Sequence, residues 1–307
     1  MGVSSGRELY GVLPVVSTPF DDDGRIDERS LMTELEWVLD QGVSGLTTGM
    51  VSEVLALSPM ERRRLTEVVV GFALDRGTLS IISCGAERVE DAVAYARHAE
   101  RTGADAVMAI APVEVSLDAE ATFRYFAEVI ESTALGVVVQ DASGYVGRPL
   151  GIELQSRLHE TYGPRLYFKP EAPPLGQRLS MLRDATRGEA RVFEGTGGAA
   201  LVDSFRRGVV GSMPGAEVCW AVQHMWAALN AGDWVSAYGV NDPLGLLIGL
   251  QTSIDSFVAV EKHILVSQGV IASTRARPSS AYVLDEETRD EVDRLVARLR
   301  SVVAPGH

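Results

Sequence analysis

The stretch AVAYARHAERTGADAVMAIAP, residues 92–112, holds one unit of the fold. Its first half spaces apolar residues as a helix does and ends on Gly103, a residue suited to the left-handed position that closes a helix. Its second half is a short apolar run without alternation, as expected of a strand buried on both faces in a parallel sheet. The same order of amphipathic segment, glycine and apolar run recurs at Gly42, Gly77 and Gly208. Further apolar runs are GVLPVVST (11–18), LGVVVQ (135–140), RLYFK (165–169) and ARVFEG (190–195). Together they predict eight strands, near 12–18, 44–49, 79–84, 105–111, 135–140, 165–169, 191–195 and 208–212.

Eight strand–helix units over roughly 225 residues fit a (β/α)8 TIM barrel. A doubly wound open sheet usually carries a glycine-rich phosphate loop after its first strand, and STPFDDDGRID (17–27) is no such loop. Beyond about residue 218 the strand signal stops and the sequence reads as helices. The expected organisation is therefore a barrel over 1–232 with a C-terminal helical extension over 233–307 packed on it.

Bulk properties narrow the partners. A net charge of −14 and a pI near 4.8 argue against nucleic acid and anionic membranes. They leave room for an anionic small molecule at a local positive site. No apolar run reaches the length of a membrane span, and the opening MGVSSGRELYG lacks the apolar core of a secretory signal. Cys84 and Cys219 are expected as reduced, buried thiols of a cytoplasmic protein. The five histidines show no metal-ligand spacing, and DDDG (21–24) lacks the rest of a calcium loop, so no metal is expected.

In such a barrel, chemistry sits at the C-terminal ends of the strands. Those ends fall at Thr18, the loop 49–53, Cys84, Pro112 to Glu114, Gln140 and Asp141, Lys169 and Glu171, Gly195 to Gly198, and Ser212. Lys169 stands out. The chain has two lysines, Lys169 and Lys262, against 26 arginines. A guanidinium stays protonated, whereas a desolvated lysine amine attacks carbonyls to form a Schiff base. Glu171 lies two residues on, so in extended chain it shares a side with Lys169. It is either an acid/base group or a simple ion-pair partner. Gln140 either orients a hydroxyl or water, or caps a strand end.

Several motifs resemble the dihydrodipicolinate synthase/N-acetylneuraminate lyase family of class I Schiff-base lyases. They are TPFDDDGRID (18–27), EVLALSPMERRRL (53–65), ARHAERTGADAVMAIAP (96–112), YFKPEA (167–172) and FEGTGGAALVDSFRRGVVGSMPG (193–215). The resemblance implies an imine between Lys169 and the keto group of a 2-oxo acid, no external cofactor, and a homo-oligomer, dimer or tetramer. It also implies departures. Where the family has Gly-Thr-Thr-Gly-Glu, this chain has GMVSE (49–53), with Met50 and Val51 in place of the threonines, which leaves the substrate carboxylate to backbone amides of the loop, around Val51, and to Ser52. Gly195 falls in the strand-7 loop, where backbone approaches the substrate.

The family's strand-5 motif has a proton-relaying tyrosine, then Asn-Val-Pro and often an arginine for a carboxylate. Aligned on VVVQDASGYVG, it puts Val139 at the tyrosine and Gly144 at the arginine. The aromatic pair after strand 4 becomes Val113-Glu114. Tyr145 and Arg148 supply a phenol or a cation if their loop folds inwards, and are otherwise expected at the surface. The combination of QDA, SE and K-x-E resembles the branch containing L-2-keto-3-deoxyarabonate dehydratase. That implies dehydration of a 2-keto-3-deoxy sugar acid, with Glu171 doing the proton work. A retro-aldol lyase releasing pyruvate, a dihydrodipicolinate synthase-type condensation, and a non-catalytic barrel that binds a 2-oxo acid are the alternatives.

Overall fold

A computed structural model describes residues 7–277 and 282–303. Met1 to Gly6 of the opening segment, and His307, lie outside the described residues. Eight parallel strands follow one another around a sheet: β1 (Gly11–Val12), β2 (Gly45–Thr47), β3 (Leu79–Ser83), β4 (Ala106–Ile110), β5 (Gly136–Asp141), β6 (Leu166–Pro170), β7 (Arg191–Glu194) and β8 (Gly211–Ser212). β1 pairs with β8. Backbone bonds from Ser44 to Val12, Thr47 to Pro14 and Val16 to Thr47 join β1 to β2 and close the ring. The (β/α)8 barrel read from the sequence is the fold.

The helices between strands are α1 (Glu28–Asp40), α2 (Pro59–Arg76), α3 (Val89–Thr102), α4 (Ala119–Glu131), α5 (Ile152–Tyr162), α6 (Leu175–Ala185) and α7 (Leu201–Arg206). Gly42, Gly77, Gly103 and Gly208 all have positive φ, between 66° and 99°. These are the four residues on which the periodic reading turned, and each ends a helix where a side chain would strain the backbone. α2 shows the other end of the pattern. Ser58 accepts from Glu61 N, Glu61 reaches back to Ser58 N, and Pro59 occupies the first turn.

Alternate strand residues fill the lumen, among them Ile81, Met108, Val138, Tyr167, Phe193 and Met213. The intervening ones, such as Val137, Val139 and Phe168, pack outward against the helices. This double burial is why the strands carry no polar alternation.

α8 (Cys219–Asn230) completes the barrel, and α9 (Trp234–Ile248), α10 (Ile254–Ser267) and α11 (Glu286–Val303) follow. Ser253 caps α10 through Ser256 N, fixing where its first turn meets the barrel. Phe257 and Val258 of that turn join the lumen cluster. Lys262 is fully buried further along α10. It donates to Thr18 O at 2.9 Å and Arg275 O at 2.7 Å, and pairs with Glu53. One amine thus ties α10 to the loops after β1 and β2.

Both cysteines are free and buried; burial pushes the Cys84 thiol up to about 12. No helix among the described residues is long and apolar enough to cross a membrane.

Candidate active site

β5 and β6 set the site. Their ladder places Gln140 directly opposite Lys169. Lys169 follows Tyr167 by two residues, so its side chain enters the lumen at the C-terminal mouth. Its Nζ donates to Glu171 Oε1 at 2.6 Å, and Gln140 Nε2 donates to the same oxygen at 2.7 Å. Glu171 is held from behind, its N–H donating to Asp141 O. Oε2 of Glu171 has no hydrogen-bond partner among the described residues. All three side chains are buried, exposed by 6% or less. Burial pushes the Glu171 carboxyl above the ordinary carboxylate range, against the pull of Lys169 and Gln140.

A small cavity of about 30 Å³ opens onto this trio. Val51 and Gly195 line it, together with Gly49, Met50, Ile254 and Phe257. Room for a water or two remains, so a larger substrate enters by moving part of the wall. Gly195 is there for space: a Cβ would come 2.8 Å from Glu171 Cγ and 3.1 Å from Lys169 Cγ. Met50 and Val51 open a 3-10 turn over Met50–Ser52, so their amides have no acceptor within it. Ser52 is placed differently from Val51. Its hydroxyl donates to Val16 O and accepts from Gly49 N, which commits it to shaping the turn.

A far larger groove, about 520 Å³, lies outside the mouth over α4 and α5. Pro112 to Glu114 and Arg148 line that groove, not the cavity. No lysine lines it. Thr18, Cys84 and Ser212 also stay off the cavity wall. Thr18 bonds Ser52 O, and Ser212 bonds Glu194. Among the described residues no group of carboxylates, histidines or cysteines is placed to hold a metal.

The structure corrects two expectations on β5. Val139 cannot stand in for a lumen-facing tyrosine, because its side chain packs among the outer residues against the helices. Gln140 faces the lumen, so the motif shifts by one: Gln140 takes the tyrosine's place and Tyr145 the arginine's. Tyr145 is not a surface residue either. It lines the cavity and packs edge-on to Phe257, ring centroids 6.1 Å apart. Ile254 and Phe257, from α10, were invisible to reasoning strand by strand, since the cue for them is tertiary.

A model of the dihydrodipicolinate synthetase family matches residues 8–299. A 4-hydroxy-tetrahydrodipicolinate synthase from Bartonella bacilliformis is 26% identical over 77% of this chain and 80% of its own. The solved 4-hydroxy-tetrahydrodipicolinate synthase of Methylacidiphilum fumariolicum SolV superposes with a TM-score of 0.88 at 21% identity, covering 97% of this chain and 98% of that one. A prophage protein of the dihydrodipicolinic acid synthase family from E. coli K12, solved with pyruvate, gives 0.85 at 23% identity, over 96% and 99%. With the match running nearly end to end and a buried lysine at the mouth of β6, the chain belongs to the dihydrodipicolinate synthetase family.

Proposed function

We propose that this protein is a cofactor-free lyase that binds a 2-oxo acid as an imine on Lys169 and dehydrates a 2-keto-3-deoxy sugar acid. Its family consists of class I aldolase-type lyases and synthases that use a lysine Schiff base and need no external cofactor. The observation that carries the finer reading is the polar lining of the cavity. It offers one amine, one carboxylate, one amide and one phenol, and no arginine among the described residues.

Such a set fits a substrate with a single carboxylate and a neutral, hydroxylated tail. The C1 carboxylate falls to the backbone amides at Met50 and Val51. The Lys169 amine attacks C2, and the keto oxygen leaves as water. Glu171 Oε2 takes a proton from C3, its electrons moving into the iminium to give an enamine. The enamine then expels the C4 hydroxyl, which departs with a proton as a second water, and hydrolysis frees Lys169. Condensation as in the named synthases is disfavoured, because the family motif often supplies an arginine for a carboxylate. Here Tyr145 has that place, and Glu171 would repel the charge.

The test is incubation with 2-keto-3-deoxy pentonates and hexonates, followed by mass spectrometry. Loss of one water from the substrate supports the reading. Pyruvate release instead identifies a retro-aldol lyase, and neither product from any of them rules out both. A homo-oligomer belongs to the same reading. Val235, Tyr238 and Leu246 leave an exposed apolar stripe on α9, which supports it; light scattering in solution measures it.

A further inference from the structure

One titratable group of the cavity has no role in the steps above. Tyr145 sits on the loop that leaves β5, and that loop is fastened by Asp141. Oδ1 of Asp141 accepts from Ser143 N and Oγ; Oδ2 accepts from Leu150 N at 3.0 Å and from Arg178 at 3.4 Å. Tyr145 N–H closes a turn onto Ala142 O at 2.9 Å. The next residue back, Gly144, lies so close to Glu171 that a Cβ there would meet its carbonyl oxygen at 2.9 Å. The loop is therefore laid directly on the acid/base residue. The ring is stopped by Phe257, and its hydroxyl makes no hydrogen bond among the described residues.

We propose that Tyr145 is a second proton-transferring catalytic residue, working in relay with Glu171. The proposal rests on the imine reading above. Glu171 takes the proton from the carbon beside the imine. Tyr145 hands its own phenolic proton to the departing hydroxyl oxygen, the carbon–oxygen bond breaks, and water leaves. The carboxyl proton of Glu171 then passes to the phenolate, and both groups end as they began. Burial and the nearby Glu171 charge both push the phenol upward, so it arrives protonated and is a donor, not a resting base.

Pyruvate tests this without the native substrate. The relay also carries protons between Glu171 and solvent, so methyl protons of pyruvate should wash out in heavy water. Methyl exchange is followed by NMR, and borohydride trapping on Lys169 by mass spectrometry, for wild type and Tyr145→Phe. The phenylalanine keeps the packing on Phe257. The expected result is equal trapping and exchange slowed about 100-fold in the variant. Equal trapping with unchanged exchange overturns the relay and leaves the imine reading standing. Absence of any Lys169 adduct in wild type removes both. A Gly144→Ala variant, which pushes the loop off Glu171 and keeps the phenol, is expected to slow exchange as well.

Discussion

Gln140 and Lys169 face each other across the β5–β6 ladder, and both side chains end on one oxygen of Glu171. This convergence gives the carboxylate its orientation. One oxygen is occupied twice, and the other is left open. It also holds an amine and a carboxylate side by side, and the proton removal proposed above rests on that proximity.

The two lysines of the chain make a natural control for each other. Both are buried and both pair with a glutamate, but Lys169 lines the cavity whereas Lys262 is held by Thr18, Arg275 and Glu53. Borohydride reduction with pyruvate should label Lys169 alone, and Lys169→Arg should abolish the adduct. Peptide mapping that finds the label on Lys262 would refute the assignment. Lys262→Met should cost about 3–5 kcal/mol of stability in urea unfolding by leaving Glu53 charged and unpaired. Adding Glu53→Gln should recover much of it.

Why the sequence revealed some of this and hid the rest follows from burial. Glycines that end helices are visible because few other residues take up that backbone without strain, so the barrel was legible. Lys169 was legible because lysine is scarce and its chemistry is not shared by arginine. The facing of β5 was not. Val137, Val138 and Val139 are buried on both sides of the sheet, so no polar residue marks which side is the lumen, and the motif slipped by one. Tyr145 was hidden for another reason. Its loop is shaped by Asp141 reaching Leu150 and Arg178, contacts up to 37 residues apart in the chain. Ser52, read as a substrate contact, is held by Val16, a residue 36 positions away.

Glu171 should control the acid limb of the rate profile. Its carboxyl is raised above 4.5 by burial, and the base must be ionised to work. Activity should therefore fall as pH drops through the raised range of the Glu171 carboxyl. Glu171→Gln should lower kcat by at least about 100-fold and erase the limb. It should still trap pyruvate on Lys169. A variant with the wild-type profile would assign the proton work elsewhere.

Gly195 probes how closely the trio is packed. Gly195→Ala inserts a methyl group 2.8 Å from Glu171 Cγ and 3.1 Å from Lys169 Cγ, atoms near the backbone that must shift to admit it. Unfolding should show a loss of about 1–3 kcal/mol. The kinetic loss should be larger, on the order of 100-fold in kcat/KM, since displacement near 1 Å suffices for that. Wild-type kinetics in this variant would mean that the spacing of Lys169 and Glu171 does not matter to turnover.

Behind the site lies a second buried acidic group, and it should make the protein more stable in mild acid. Glu34, Glu217 and Glu261 are all fully buried. Glu34 accepts from Ser17 N, Glu217 accepts from Gln251, and Glu261 accepts from Ala216 N, with Lys262 the nearby cation. Burial pushes Glu34 from 4.5 to about 8 and Glu217 to about 7, and Glu261 is raised as well. Between pH 4.5 and these values the folded state holds protons that the unfolded chain has released. Stability is therefore greatest at the acid end of that window and falls as pH rises towards 8. Each group contributes a slope of at most about 1.4 kcal/mol per pH unit. Thermal melts between pH 6 and 8.5 should show Tm falling with pH, and Glu34→Gln or Glu217→Gln should flatten the fall. A Tm that rises over this range, or a slope untouched by either substitution, would mean that these carboxyls are ionised in the folded protein.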